Sequence, residues 1–191
     1  NGILNIEGNV TSENSITQGN LNILTNSSFS TDVSNLTITN AVENAGTITL
    51  TGEGENINEI TGEGGKTVIA GEVENSALID QNIDVNTGAS LTSGLSNIGG
   101  AIDNDGDLIL NDDNEEGAGS ILANAITGSG DTEFSGKISN ENNISVTQNK
   151  VTITDGSEFS TNAGIITTTE GIANLGTLTF TGGEHTNTIT G

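Results

Sequence analysis

Side chains able to do chemistry are dominated here by carboxylates, and little else stands beside them. The chain has 26 acidic residues, one histidine (His185) and three cations, Lys66, Lys137 and Lys150; arginine and cysteine are absent. That inventory excludes a thiolate nucleophile, a Cys-ligated zinc and a polyhistidine metal site. A Ser-His-Asp arrangement would have to be built on His185, which sits in Gly183-Glu184-His185-Thr186 and reads as a solvated residue between strands. Asp112-Asp113 is the one adjacent Asp pair, with Glu115 and Glu116 just beyond it. Oxygen donors of this kind suit a weakly held divalent cation, so these four are the candidate metal residues, and no other cofactor is expected. The segment Asp103 to Asp107 also alternates oxygen ligands, but an EF-hand needs Gly at its sixth position and Glu at its twelfth, where Leu108 and Asn114 stand. It reads as a corner turn with acidic decoration.

The charge balance restricts partners. A net charge of −23 cannot neutralise a phosphate backbone, so nucleic acid is excluded, and an anionic membrane surface fails on the same sign. Apolar runs of two or three residues insert nothing into a bilayer. Low hydrophobicity with high charge is also the composition of disorder, yet the apolar residues are mostly Ile, Leu and Val, and Gly, Asn, Thr and Ser fill the intervals. Short strands joined by tight turns are written in those residues.

The elements that must position these groups are found by comparing the chain with itself. Leu21, Ile23 and Phe29 recur as Ile83, Val85 and Leu91 and as Val151, Ile153 and Phe159. The phrase from Val42 to Leu50 recurs from Ile102 to Leu110 and from Ile172 to Phe180, and each unit closes on Ile-Thr-Gly, at 60–62, 126–128 and 189–191. Cutting there gives three repeats, 1–62, 63–128 and 129–191, each bounded at the same phase. With period-2 alternation and no 3.6-residue pattern, a unit of this length reads as three coils of about 21 residues, a spacing that Asn14, Asn35 and Asn56 keep in the first unit. The expected fold is all-β: one parallel β-helix (β-solenoid) domain over 1–191, about nine coils, with inward Ile, Leu, Val and Phe stacked along a narrow core. Asn-x-Gly at Asn44/Gly46, Asn104/Gly106 and Asn174/Gly176 supplies structural turns, where glycine would accept positive φ.

Phrases such as Asn174-Leu175-Gly176-Thr177-Leu178-Thr179-Phe180-Thr181-Gly182-Gly183 with Thr188-Ile189-Thr190-Gly191 resemble the passenger repeats of bacterial autotransporter and adhesin-like surface proteins. The resemblance is one of repeat style over the whole chain. It implies a right-handed parallel β-helix, extracellular or at the cell surface, acting as a stalk, adhesin or filament segment. The targeting sequence and barrel translocator of such proteins would lie outside this chain, making it a fragment or a mature repeat region. Expected partners are other copies or neighbouring repeats stacked end-on, and surface glycans or proteins.

Two other functions are weighed against this non-catalytic reading. Polysaccharide-active β-helix enzymes place a basic residue beside clustered carboxylates, and arginine is missing. Ice-binding solenoids present Thr-x-Thr rows, but the row at Thr47/Thr49 and Thr177/Thr179 is broken by Asp107-Leu108-Ile109-Leu110 in the middle unit. That unit is also the longest, and its excess falls on the acidic stretch between Leu110 and Ile126, expected to leave the stack as a loop.

Overall fold

The computed structural model describes residues 2–114 and 117–191. It is all-β, 57% strand, with parallel strands stacked as a β-solenoid of about ten turns. Alternating apolar residues, many of them β-branched, make short strands, most of four or five residues, and each strand pairs in parallel with its equivalent one coil away.

Three ladders form the walls. The first runs through Leu4, Leu21, Val42, Ile60, Ile79 and Ile98. Above it, Ser120–Ile121 lies against the 3-10 turn Leu95–Asn97 and begins a further ladder through Lys137–Ser139, Glu158–Thr161 and Thr177–Phe180. The second wall runs through Val10, Phe29, Ile48, Thr67, Ile83, Ile102, Ile126, Val146 and Ile166. Gly54, Val73, Leu91, Leu108, Thr132, Val151, Ile172 and Ile189 make the third. The inward residues of all three merge into one continuous core, in which Phe134 and Phe159 stack with ring centroids 4.4 Å apart.

The coils are shorter than the sequence spacing implies. Steps along a ladder range from 16 residues, Thr67 to Ile83, to 24, Ile102 to Ile126, and most lie near 19. Asn56 bonds to Asn75, 19 residues on at 2.8 Å, so the 21-residue Asn spacing does not mark coil equivalents. A repeat of 62 to 66 residues therefore covers three turns and about a third, and the repeats are rotated with respect to one another. Leu21, Ile83 and Val151, matched in sequence, fall on the first, second and third walls, as do Val42, Ile102 and Ile172. Three such rotations bring the pattern back to its starting wall.

The Asn-x-Gly turns differ from expectation in mechanism. Gly46, Gly106 and Gly176 do not have positive φ; each is glycine because a Cβ would run into the backbone oxygen of Ser27, Ala89 or Ser157 in the adjacent coil. The glycine of Ile-Thr-Gly is the strained one: Gly62 has φ +130° and Gly128 φ +114°, with the Asn44 and Asn104 carbonyls directly beneath.

Candidate functional site

The acidic insertion is stitched to the coils around it. Asp112 Oδ1 accepts from the Ser120 hydroxyl at 2.7 Å and from the Asn114 amide at 3.0 Å, and its Oδ2 accepts from the Lys137 amide at 3.3 Å. The Ser120 hydroxyl holds the Asp112 carboxyl below the ordinary carboxylate value of 3.8; burial opposes it, and the Asn114 and Lys137 amides add smaller contributions in the lowering direction. Asp113 accepts from the Ser96 hydroxyl and amide and, at 3.2 Å, from Ser120. Gly94 and Gly136 lie where a Cβ would collide with these two side chains. Both carboxylates are thus engaged by hydroxyls and amides of the flanking coils. The other two predicted members, Glu115 and Glu116, lie outside the described residues.

Asp105, from the other candidate loop, behaves alike: the Ser129 amide and hydroxyl each donate to it at 2.8 Å, and that amide, then the hydroxyl, lowers its pKa. Among the described residues no group of three or more His, Cys, Asp or Glu side chains converges as a metal site. His185 is exposed, as expected for a loop residue, with its ring edge-on to Phe180 at a centroid distance of 4.8 Å. Carboxylates also face one another on the third wall, where Glu53 and Glu55 register with Glu72 and Glu74 across a shallow groove floored by Gly54. The one ion pair among the described residues, Lys66 with Asp84, lies elsewhere.

The most organised polar feature is at the corners, and it includes residues that sequence reasoning overlooked. Asn44 is fully buried. Its Oδ1 accepts from the Gly46 amide at 3.1 Å; its Nδ2 donates to the Lys66 carbonyl one coil up, at 2.9 Å, and to Gln81 Oε1 two coils up, at 2.8 Å. Gln81 can reach because the residue stacked between them is Gly62, and its Nε2 donates to the Gly62 carbonyl at 3.0 Å on the way. The same Asn-Gly-Gln stack recurs one wall further round. Buried Asn104 donates to the Asp131 carbonyl at 2.9 Å and, past Gly128, to Gln148 Oε1 at 2.7 Å, while Gly106 donates back to Asn104 at 3.2 Å. Thr67 and Thr132 complete the two clusters by donating to the glutamine oxygens. The signal lay in the repeat: Gln18, Gln81 and Gln148 each stand two residues after an apolar residue at one phase, in Ile16-Thr17-Gln18, Ile79-Asp80-Gln81 and Val146-Thr147-Gln148.

Of the six predicted turn residues, Asn44, Gly46, Asn104 and Gly106 thus sit in these clusters. Asn174 and Gly176 occupy the third corner without a glutamine above them, and the Asn174 Oδ1 is buried with no partner. These arrangements clamp coils together; they bring no nucleophile and base into contact among the described residues. Comparison with protein-family models, with curated proteins and with solved structures finds no match to this chain.

Proposed function

We propose that this chain is a non-catalytic structural solenoid, a rigid stalk, adhesin segment or filament repeat of a protein exposed outside the cell. The observation that carries the reading is the Asn-Gly-Gln clamp, which ties coils two apart at successive corners around one uninterrupted core. Coils of a solenoid otherwise contact only their neighbours, so stability and stiffness are sums of nearest-neighbour terms. A clamp spanning two interfaces resists bending and local opening, which is what a spacer requires and what a catalytic cleft does not. Surface carboxylates in excess keep such rods apart laterally. Extracellular placement rests on the resemblance of the repeats to surface-protein passengers.

Small-angle scattering of the purified monomer tests the rod: ten turns at about 4.8 Å each give an axial rise of about 48 Å. A near-spherical particle would refute it. Reducing-end assays on acidic and neutral polysaccharides, with and without calcium, test the catalytic alternative, and turnover lost on Asp112→Asn or Asp113→Asn would overturn the proposal.

A further inference from the structure

Two Asp-Gly pairs occur in the chain, Asp105-Gly106 and Asp155-Gly156, and the fold treats them differently. Aspartate before glycine is the aspartyl sequence most open to attack by its own backbone, because the glycine amide has no side chain beside it to shield it from the carboxyl. At Asp105 both reacting groups are held. The Ser129 amide and hydroxyl each donate to Asp105 Oδ1 at 2.8 Å, and the Gly106 amide donates to Asn104 Oδ1 at 3.2 Å inside a buried clamp. At Asp155 both are free. Thr154 to Ser157 turns the chain between Val146–Ile153 and Glu158–Thr161, and the feet of this turn are fixed. The Ser157 amide donates to the Thr154 carbonyl at 3.1 Å, the Thr154 amide to the Phe134 carbonyl at 3.2 Å, and the Gly136 amide to Ser157 Oγ at 2.8 Å. Asp155 and Gly156, between the feet, are exposed, and among the described residues no hydrogen bond engages the Asp155 carboxyl or the Gly156 amide. Gly156 has φ +76°, with open space where a Cβ would stand. The equivalent turn of the first repeat, Leu24 to Ser27, carries Asn26-Ser27, but there the amide that would attack is already bonded, from Ser27 to the Leu24 carbonyl at 3.0 Å.

We propose that Asp155 is a site of spontaneous isoaspartate formation, a covalent change of the backbone that the fold permits at this tip and denies at Asp105. The Gly156 amide nitrogen attacks Asp155 Cγ. A new N–C bond forms, the protonated carboxyl loses its hydroxyl, which leaves as water with the amide proton, and a five-membered succinimide results. Water then adds to the main-chain carbonyl carbon of Asp155 and breaks its bond to the Gly156 nitrogen. The chain now continues through Cβ and Cγ, and the former main-chain carbonyl is a free carboxylate. Atoms and charge balance, since one water leaves and one returns, and the backbone is one carbon longer. The tip has room for that carbon because it projects into solvent, while the bonds of Thr154 and Ser157 keep the coils on either side in place. At Asp105 the same extension would draw the Gly106 amide away from Asn104 and open the clamp. Isoaspartyl carboxylates are the substrate of carboxyl methyltransferases that use S-adenosylmethionine, so the modified tip is a substrate for that class of enzyme.

The test incubates the protein folded and, in parallel, unfolded in guanidinium, until the unfolded chain carries isoaspartate at both Asp-Gly pairs. Both samples are then denatured and cut with trypsin after Lys66, Lys137 and Lys150, which separates Asp105, in 67–137, from Asp155, in 151–191. Labelling by an isoaspartyl methyltransferase counts the product in each peptide, and electron-based fragmentation places it. The folded chain should carry isoaspartate at Asp155 and lack it at Asp105, with its melting temperature unchanged as the product accumulates. Asp155→Glu should remove the label at that position, because a six-membered imide closes far more slowly. Asp155→Asn should react faster through the same succinimide, releasing ammonia and reading as deamidation. Isoaspartate at Asp105 that keeps pace with Asp155 in the folded chain would overturn the proposal, as would a folded Asp155 that stays unmodified while the unfolded chain reacts.

Discussion

Replacing Asn104 by alanine should be among the most damaging single changes in the chain, and its equivalent Asn174→Ala among the mildest. The three shortest bonds of the Asn104 side chain run to Gln148 Oε1 at 2.7 Å, to the Asp131 carbonyl at 2.9 Å, and from the Gly106 amide at 3.2 Å. Each is worth about 1 kcal/mol net, and truncation strands the Gly106 amide, where a buried unpaired group costs about 1–3 kcal/mol, while the Asp131 carbonyl keeps its ladder pairing with the neighbouring strand. Gln148 keeps the Thr132 hydroxyl at 2.9 Å, which limits the damage on that side. The sum is about 3–5 kcal/mol, a large share of a typical domain stability of about 5–15 kcal/mol. Asn174 has neither the glutamine nor the turn bond to lose, so its truncation in the monomer should cost under about 1 kcal/mol. Urea unfolding followed by far-UV circular dichroism measures the difference, since Trp and Tyr are absent and fluorescence is uninformative. Amide exchange at Gly106 locates it, because a solenoid can open locally before it unfolds globally. A double-mutant cycle with Gln148→Leu should give a coupling of at least about 1 kcal/mol. Equal costs at Asn104 and Asn174, within about 0.5 kcal/mol, would refute the idea that the two-coil bridge contributes.

Phe134→Ala should cost about 3–5 kcal/mol through loss of a fully buried ring and its stack on Phe159, read by the same unfolding curves. Gly128→Ala should destabilise by more than a typical surface change, because the new Cβ meets the Asn104 carbonyl at a φ of +114°; a melting temperature unchanged from the parent would contradict this. Asp32, Asp105 and Asp112 have pKa values lowered chiefly by Ser34, Ser129 and Ser120 respectively. A depressed folded-state value means that their contribution is present above the ordinary carboxylate range near 3.8 and is lost as pH falls through the lowered values. Carboxyl carbon shifts followed by NMR should therefore titrate later for these three on acidification than for a free aspartate. Asp113→Ala should speed amide exchange at Ser96 while leaving global unfolding nearly unchanged, since the bonds it loses anchor an exposed insertion.

The all-β parallel solenoid was legible because stacking demands hydrophobicity at a fixed phase, and Leu21, Ile83 and Val151 preserve it while their neighbours vary. Coil length was less legible. Only spatial pairing shows that Ile48 rests on Thr67 rather than on another apolar residue, and a polar residue in a ladder hides the step from any hydrophobic count. The carboxylates of Asp112 and Asp113 were visible as a cluster, but their partners Ser96, Ser120 and Lys137 come from other coils. The corner clamps escaped for a related reason: asparagine and glutamine are 37 and 44 residues apart, and nothing local marks them as buried.

The fractional turn in each repeat explains why so regular a sequence makes a rod without a weak side. Had a repeat been an integral three coils, every clamp would lie on one corner and every bulky core position on one wall. The rod would then be tied along one edge, free to splay along the other two, and its repeated carboxylates would line up in a single like-charged column. With ten thirds of a turn, Asn44 clamps the first corner, Asn104 clamps the second, and Asn174 stands at the third. Phe29, Leu91 and Phe159, matched in sequence, are likewise spread over three ladders, so the widest part of the core advances around the axis instead of bulging to one side.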